Sequence, residues 1–201
     1  YTAKLKSCGI AYLDSPTEII PAALHYVGKD AYSNSADDYK VATDMLAKVR
    51  KDVRLFSSTM IDDIAGGKAC VAIGWSGDIN IAAGRAKENK SKDVIEALLP
   101  STGALAFFDT MAITKDAKHP SNAHAFIDFY LRAESGAQVS NEMSYPTGNK
   151  AALEKINPET AGNKTIFVEA DYAAKLIQPG KFTNESREAM ATAYNAFKAG
   201  K

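Results

Sequence analysis

Two short stretches place an aromatic ring within a few residues of a carboxylate. They are Trp75-Ser76-Gly77-Asp78 and Phe107-Phe108-Asp109. A ring face and an anionic oxygen attract the same kind of partner, an organic cation. Asp is depleted in strands, yet Asp109 lies in an apolar run, Ala104 to Thr114, that reads as one. Phe107 and Asp109 are two apart and so share one strand face. A carboxylate there needs a positive partner, because unpaired buried charge is costly. The partner is either a Lys or Arg of the chain or a cationic ligand.

Other acids and rings have plainer readings beside the chemical one. Trp75 is the only tryptophan and could simply cap a core at a strand end. Asp78 falls in the first turn of a helix, where the macrodipole favours a negative side chain. In Ser15-Pro16-Thr17-Glu18, Ser15 suits the N-cap, Pro16 the first helical position and Glu18 the capping-box position. Tyr145, in Ser144-Tyr145-Pro146, is a loop ring that could cover nearby apolar surface. His25, His119 and His124 lack metal-ligand spacing, so no metal site is expected. No phosphate-cradling glycine loop and no complete nucleophile elbow occur, and no cofactor is indicated.

The elements that must position these residues follow from periodicity. Strands are expected at Lys4–Tyr12, with its lead-in from Tyr1 to Leu5, and at Val53–Phe56, Cys70–Trp75 and Ala104–Thr114, with Val94–Leu99 extended. Helices are expected from Pro16 to about Gly28, at Ala36–Lys51, Thr59–Ala65 before Gly66-Gly67, Gly77–Lys87, Asn122–Leu131, Ser135–Asn141, Asn149–Lys155 and Thr183–Lys198. This alternation predicts an α/β fold with mainly parallel pairing. In such sheets sites lie beyond the carboxyl ends of the strands, which is where Trp75 and Asp78 fall.

Bulk properties set the outer limits. The chain has 201 residues, enough to bury a substantial core, and its 46% hydrophobic residues are ordinary for a globular protein. Lys+Arg and Asp+Glu balance at 24 each, so no overall field draws it to nucleic acid. No apolar stretch approaches membrane-spanning length. Cys8 and Cys70 are the two cysteines. They fit either two buried thiols or one disulfide in an oxidising compartment.

The runs Leu5-Lys6-Ser7-Cys8-Gly9, Leu13-Asp14-Ser15-Pro16-Thr17-Glu18, Cys70-Val71-Ala72-Ile73-Gly74-Trp75-Ser76-Gly77-Asp78 and Gly103-Ala104-Leu105-Ala106-Phe107-Phe108-Asp109 together resemble the bacterial periplasmic putrescine/spermidine-binding proteins. The similarity extends to the carboxyl-terminal Lys198-Ala199-Gly200-Lys201. These proteins deliver polyamines to ABC importers. The resemblance implies two lobes that close on a ligand at a hinge. It assigns residues 1–92 and 134–201 to the second lobe and 93–133 to a crossing segment of the first. A preceding segment, absent from this chain, would complete the first lobe.

The resemblance also implies a ligand set of Glu18, Trp75, Asp78, Phe107, Asp109 and Tyr145, and a Cys8–Cys70 disulfide. It implies a periplasmic, non-enzymatic carrier, monomeric when complete, whose partners are a polyamine and the membrane subunits of an ABC transporter. Some members carry an acid where this chain has Ser15, a change that could shift the preference between diamine and triamine. Two other classes compete. One is a hydrolase using Glu18 and Asp109 as a carboxylate pair. The other is a binding protein for a different solute, an amino acid, a sugar or another cationic metabolite.

Overall fold

The computed structural model describes residues 7–200; the strand lead-in expected from Tyr1 to Leu5 lies outside them. Three parallel strands, β1 (Ile10–Leu13), β2 (Val53–Ser57) and β3 (Val71–Ile73), form a sheet in the order β2-β1-β3. The central strand, Ile-Ala-Tyr-Leu, is buried at every position. That explains its lack of polar alternation, since a strand covered on both faces has no solvent side.

Helix α1 (Pro16–Tyr26) follows β1, with Pro16 in its first turn. It buries Ile19, Ile20, Ala23 and Leu24, spaced to form one stripe. Helices α2 (Ala36–Ala47) and α9 (Asn184–Lys198) pack against α1 and each other. Tyr194 of α9 donates to the Leu13 carbonyl at 2.7 Å, and Tyr12, Phe56, Tyr194 and Phe197 stack edge and face in the core. Arg50 donates to the Phe197 and Lys198 carbonyls, which closes the carboxyl end of α9.

Helix α3 (Met60–Ala65) connects β2 to β3 and packs on α4 (Ser76–Glu88), which follows β3. The later chain carries α5 (Pro120–Tyr130), α6 (Ala133–Met143), a 3₁₀ turn at Lys150–Lys155, and short helices α7 (Pro158–Ala161) and α8 (Ala170–Ala173). Ala137, Ala152 and Ile156 make a second, smaller core between α6 and the 3₁₀ turn. Among the described residues no helix is long and apolar enough to cross a membrane.

Two expectations fail between the sheet and α5. Val94–Leu99 forms no strand, and Ala104–Thr114 contributes a single parallel bridge, Leu105 with Ile177. Around it, Ile177 donates to the Ala104 carbonyl and Ala106 to the Ile177 carbonyl, each at 2.9 Å. The physical reason is that β-propensity needs a neighbouring backbone to pair with. Here the described chain offers only Ile177, and Val94, Leu98 and Phe108 stay exposed at 94%, 76% and 71%.

Cys8 and Cys70 form a disulfide, with Cα atoms 5.6 Å apart. They precede β1 and β3, which are parallel neighbours in register, so both cysteines arrive at the same edge. The bond ties the amino ends of those strands, opposite the carboxyl ends.

Candidate functional site

The carboxyl ends of β1 and β3 are adjacent, and each feeds a helix. Glu18 lies in the first turn of α1, Trp75 caps α4 and Asp78 lies in its first turn. Residues 57 apart in sequence therefore meet. The Trp75 indole Nε1–H donates to Glu18 Oε1 at 2.6 Å. Glu18 Oε2 is buried and has no hydrogen-bond partner among the described residues.

The capping expectation for α1 is corrected by this contact. Ser15 occupies the N-cap position but makes no side-chain cap bond; its hydroxyl pairs with that of Thr17 at 3.2 Å. Glu18 turns away from the helix end and toward Trp75. A bond from the carboxylate to either donor is charge-assisted, and here the indole N–H takes the place of the backbone cap.

Glu18, Trp75, Phe107, Asp109 and Tyr145 line one cleft of about 400 Å³. The extended chain after the Leu105 bridge brings Phe107 and Asp109 to it. Both line the cleft, but the segment is not a strand and both residues are exposed, so the buried strand carboxylate expected at Asp109 is not found. Asp78 is not on that wall. Its Oδ1 accepts a hydrogen bond from the Tyr145 phenol at 3.1 Å. Burial, and then the Asp78 charge, push the Tyr145 phenol well above its usual range, so it remains a donor at neutral pH. The Tyr145 ring meets Phe107 edge-on, with centroids 5.9 Å apart.

Among the described residues no lysine or arginine pairs with Glu18, Asp78 or Asp109; the ion pairs lie elsewhere, such as Lys68–Asp63 and Lys198–Asp14. The carboxylates around the cleft are thus not neutralised from within. No group of His, Cys, Asp and Glu among the described residues could hold a metal ion. His25 instead bonds the Thr102 carbonyl through Nε2 at 2.8 Å, fastening α1 to the turn that leads into Phe107.

Sequence reasoning missed three supports. Gly77 is buried under the Tyr145 ring, so closely that a Cβ there would overlap it. Ser140, 1% exposed, donates to the Tyr145 carbonyl at 2.7 Å. Asn80 of α4 donates to Thr165 Oγ1 and accepts from Asn163 Nδ2, both at 2.9 Å, which holds the helix carrying Asp78. Gly136, Ala137 and Ser140 are spaced as one helix face, a signal that could have marked Ser140 as buried. Gly77 and Asn80 leave no such signal.

Comparison with known proteins places this geometry among relatives. The chain is 44% identical over 176 residues to the putrescine-binding periplasmic protein PotF of Escherichia coli (strain K12), covering 87% of this chain and 48% of the relative. It is 38% identical over 199 residues to the putrescine-binding periplasmic protein SpuD of Pseudomonas aeruginosa, covering 98% of this chain and 54% of the relative. The chain thus spans about half the length of these relatives. A solved structure from Listeria monocytogenes, described as a spermidine/putrescine ABC transporter, superimposes with a TM-score of 0.83 at 24% identity, over 96% of this chain and 58% of that one. The PotD substrate-binding protein of Streptococcus pneumoniae gives 0.77 at 22% identity, over 99% and 60%. At these identities the superpositions establish the fold, that of periplasmic solute-binding proteins. The model of the bacterial extracellular solute-binding protein family matches residues 2–193, and the chain belongs to that family.

Proposed function

We propose that this chain is the ligand-binding half of a polyamine carrier, holding putrescine or spermidine in the cleft for delivery to an ABC importer. One observation carries the reading: Glu18 presents a buried carboxylate oxygen with no protein partner, beside the Trp75 ring. A polyamine has ammonium groups with pKa near the lysine value, ~10.4, so it is cationic at neutral pH. Its ammonium ends suit Glu18 and Asp109, and Asp78 keeps one carboxylate oxygen beyond the Tyr145 bond. Trp75, Phe107 and Tyr145 offer ring faces to the methylenes, and a desolvated cation–π contact contributes about 2 kcal/mol.

The relatives' names support the same substrate class and a periplasmic location, and the description of the Listeria monocytogenes structure as an ABC transporter supports a role in transport. In this reading residues 93–133 belong to the first lobe, and a segment not contained in this chain completes it into a monomeric, hinged carrier. The exposed apolar side chains of that stretch, Val94, Leu98, Phe108, Phe126, Phe129 and Leu131, support this division.

The test is calorimetric titration of the full-length protein with putrescine and spermidine, and of its Asp109→Asn variant. Charge-assisted hydrogen bonds contribute roughly 1.5–3 kcal/mol, so the variant should bind at least about tenfold more weakly. Unchanged affinity would remove Asp109 from the site. Tighter binding of an amino acid or sugar than of either amine would replace the polyamine reading.

A further inference from the structure

Tyr145 reaches Asp78 on α4 through its phenol and meets Phe107 on the crossing segment with its ring edge. The residue before it, Ser144, has φ 55° and ψ 31°, a left-handed conformation that a non-glycine residue adopts at a cost of about 1–2 kcal/mol. Such conformations persist where surrounding contacts hold them. The Ser144 N–H donates to the Ser140 carbonyl at 3.0 Å as the cap of α6, and two further contacts fix Tyr145 beyond it. The Ser140 hydroxyl, buried within α6, donates to the Tyr145 carbonyl just past the turn. On the ring's other side Gly77 has no side chain, and the ring occupies the space a Cβ would take.

We propose that Gly77 and Ser140 are positioning residues: together they seat the Tyr145 ring as the wall of the cleft between Asp78 and Phe107, and so set the space open to the ligand. The inference rests on the polyamine reading for its ligand, but its geometric content is independent of it. Any side chain at position 77 displaces the ring. Loss of the Ser140 hydroxyl leaves the Tyr145 carbonyl without its donor, so the chain past the capped turn is no longer tied to α6 at Tyr145. In both cases the phenol leaves Asp78 and the ring edge leaves Phe107. A displaced wall changes the length of the cleft, which shifts the preference between the shorter diamine and the longer triamine.

The experiment uses the full-length protein with Gly77→Ala and Ser140→Ala, each made alone and on a Tyr145→Ala background. Putrescine and spermidine affinities come from calorimetry. The Tyr145 Cζ resonance, assigned with Tyr145→Phe, comes from ¹³C-tyrosine NMR without ligand. Each variant should weaken putrescine binding about tenfold where Tyr145 is present and change it by less than about twofold where Tyr145 is already alanine, because there is then no ring to misplace. The putrescine-to-spermidine affinity ratio should change, and the Tyr145 resonance should move. Ser140→Ala covers the case in which Gly77→Ala fails to fold. Equal losses on both backgrounds, or a Tyr145 resonance unmoved by either substitution, would overturn the proposal. If the unmutated protein binds neither amine, the polyamine reading falls and with it the effect on ligand choice, while the resonance still decides whether the ring is seated as described.

Discussion

Glu18 gives one carboxylate oxygen to the Trp75 indole and keeps the other buried and unpaired. This arrangement is costly without a ligand and favourable with a cation, which makes Glu18 the residue most sensitive to charge removal. Glu18→Gln preserves shape and an acceptor for the indole. It should nevertheless weaken putrescine binding by roughly tenfold or more in calorimetry, since a charge-assisted bond becomes a neutral one. Trp75→Phe separates the other half of the pair. It keeps a ring but removes the N–H, leaving Glu18 Oε1 without its donor. Its putrescine affinity should fall between those of the unmutated protein and Trp75→Ala; equality with the unmutated protein would mean the indole bond does not orient Glu18.

The sheet divides labour between its two ends. The Cys8–Cys70 disulfide holds the amino ends of β1 and β3, and the cleft lies past their carboxyl ends. Its closed loop of 62 residues corresponds to roughly 4 kcal/mol in the chain-entropy model. The Cys8→Ser, Cys70→Ser variant should therefore unfold at clearly lower urea concentration, with ligand affinity little changed. Helix α3 carries a second local support. Asp63, 6% exposed, accepts from Lys68 at 2.6 Å and from Ser57 at 2.5 Å, and those bonds hold its carboxyl below the usual carboxylate range. A depressed folded value means the stabilisation is present above the unfolded value, ~3.9, and is lost as pH falls through the folded one. Thermal melts should show Asp63→Asn less stable than the unmutated protein at pH 7. The gap should narrow as pH falls below about 4; a gap independent of pH would show that Asp63 acts through packing alone.

At the scale of the molecule, the stretch from residue 93 to residue 131 touches the main core through Ile95 but leaves many large apolar side chains exposed, with Phe126 of α5 at 60% and Leu131 at 57%. An apolar face of this kind marks an interaction surface. In the proposed carrier it packs on the remainder of the first lobe. The 201-residue chain on its own should bind the dye ANS strongly, and the full-length protein should bind it weakly. Equal dye binding by the two would leave this surface without the packing partner proposed for it. The turn at residues 100–103 is held by His25, by the Tyr172 hydroxyl on the Pro100 carbonyl at 2.8 Å, and by Gly103 at φ 105°, where a Cβ would overlap the Lys175 carbonyl. The helix bearing Glu18 is thereby fastened to the segment bearing Phe107 and Asp109.

The amino-acid sequence by itself determined the elements whose period is strong: the buried run of β1, the stripe of α1, α2 and α9, and the strand-to-helix turn at Trp75. It also marked Trp75, Asp78, Phe107 and Asp109 as rings and carboxylates close together on or beside apolar runs, while Glu18 and Tyr145 joined them only through the resemblance to polyamine-binding proteins. Only the tertiary structure decided their relations. The Glu18–Trp75 bond overrode a local capping pattern, since a contact across 57 residues has no trace in either segment. The strand expected at 104–114 reduced to one bridge, since pairing depends on a partner backbone that periodicity does not encode. Gly77 and Ser140 carry no chemistry of their own, and what they do exists only where Tyr145 lies between them.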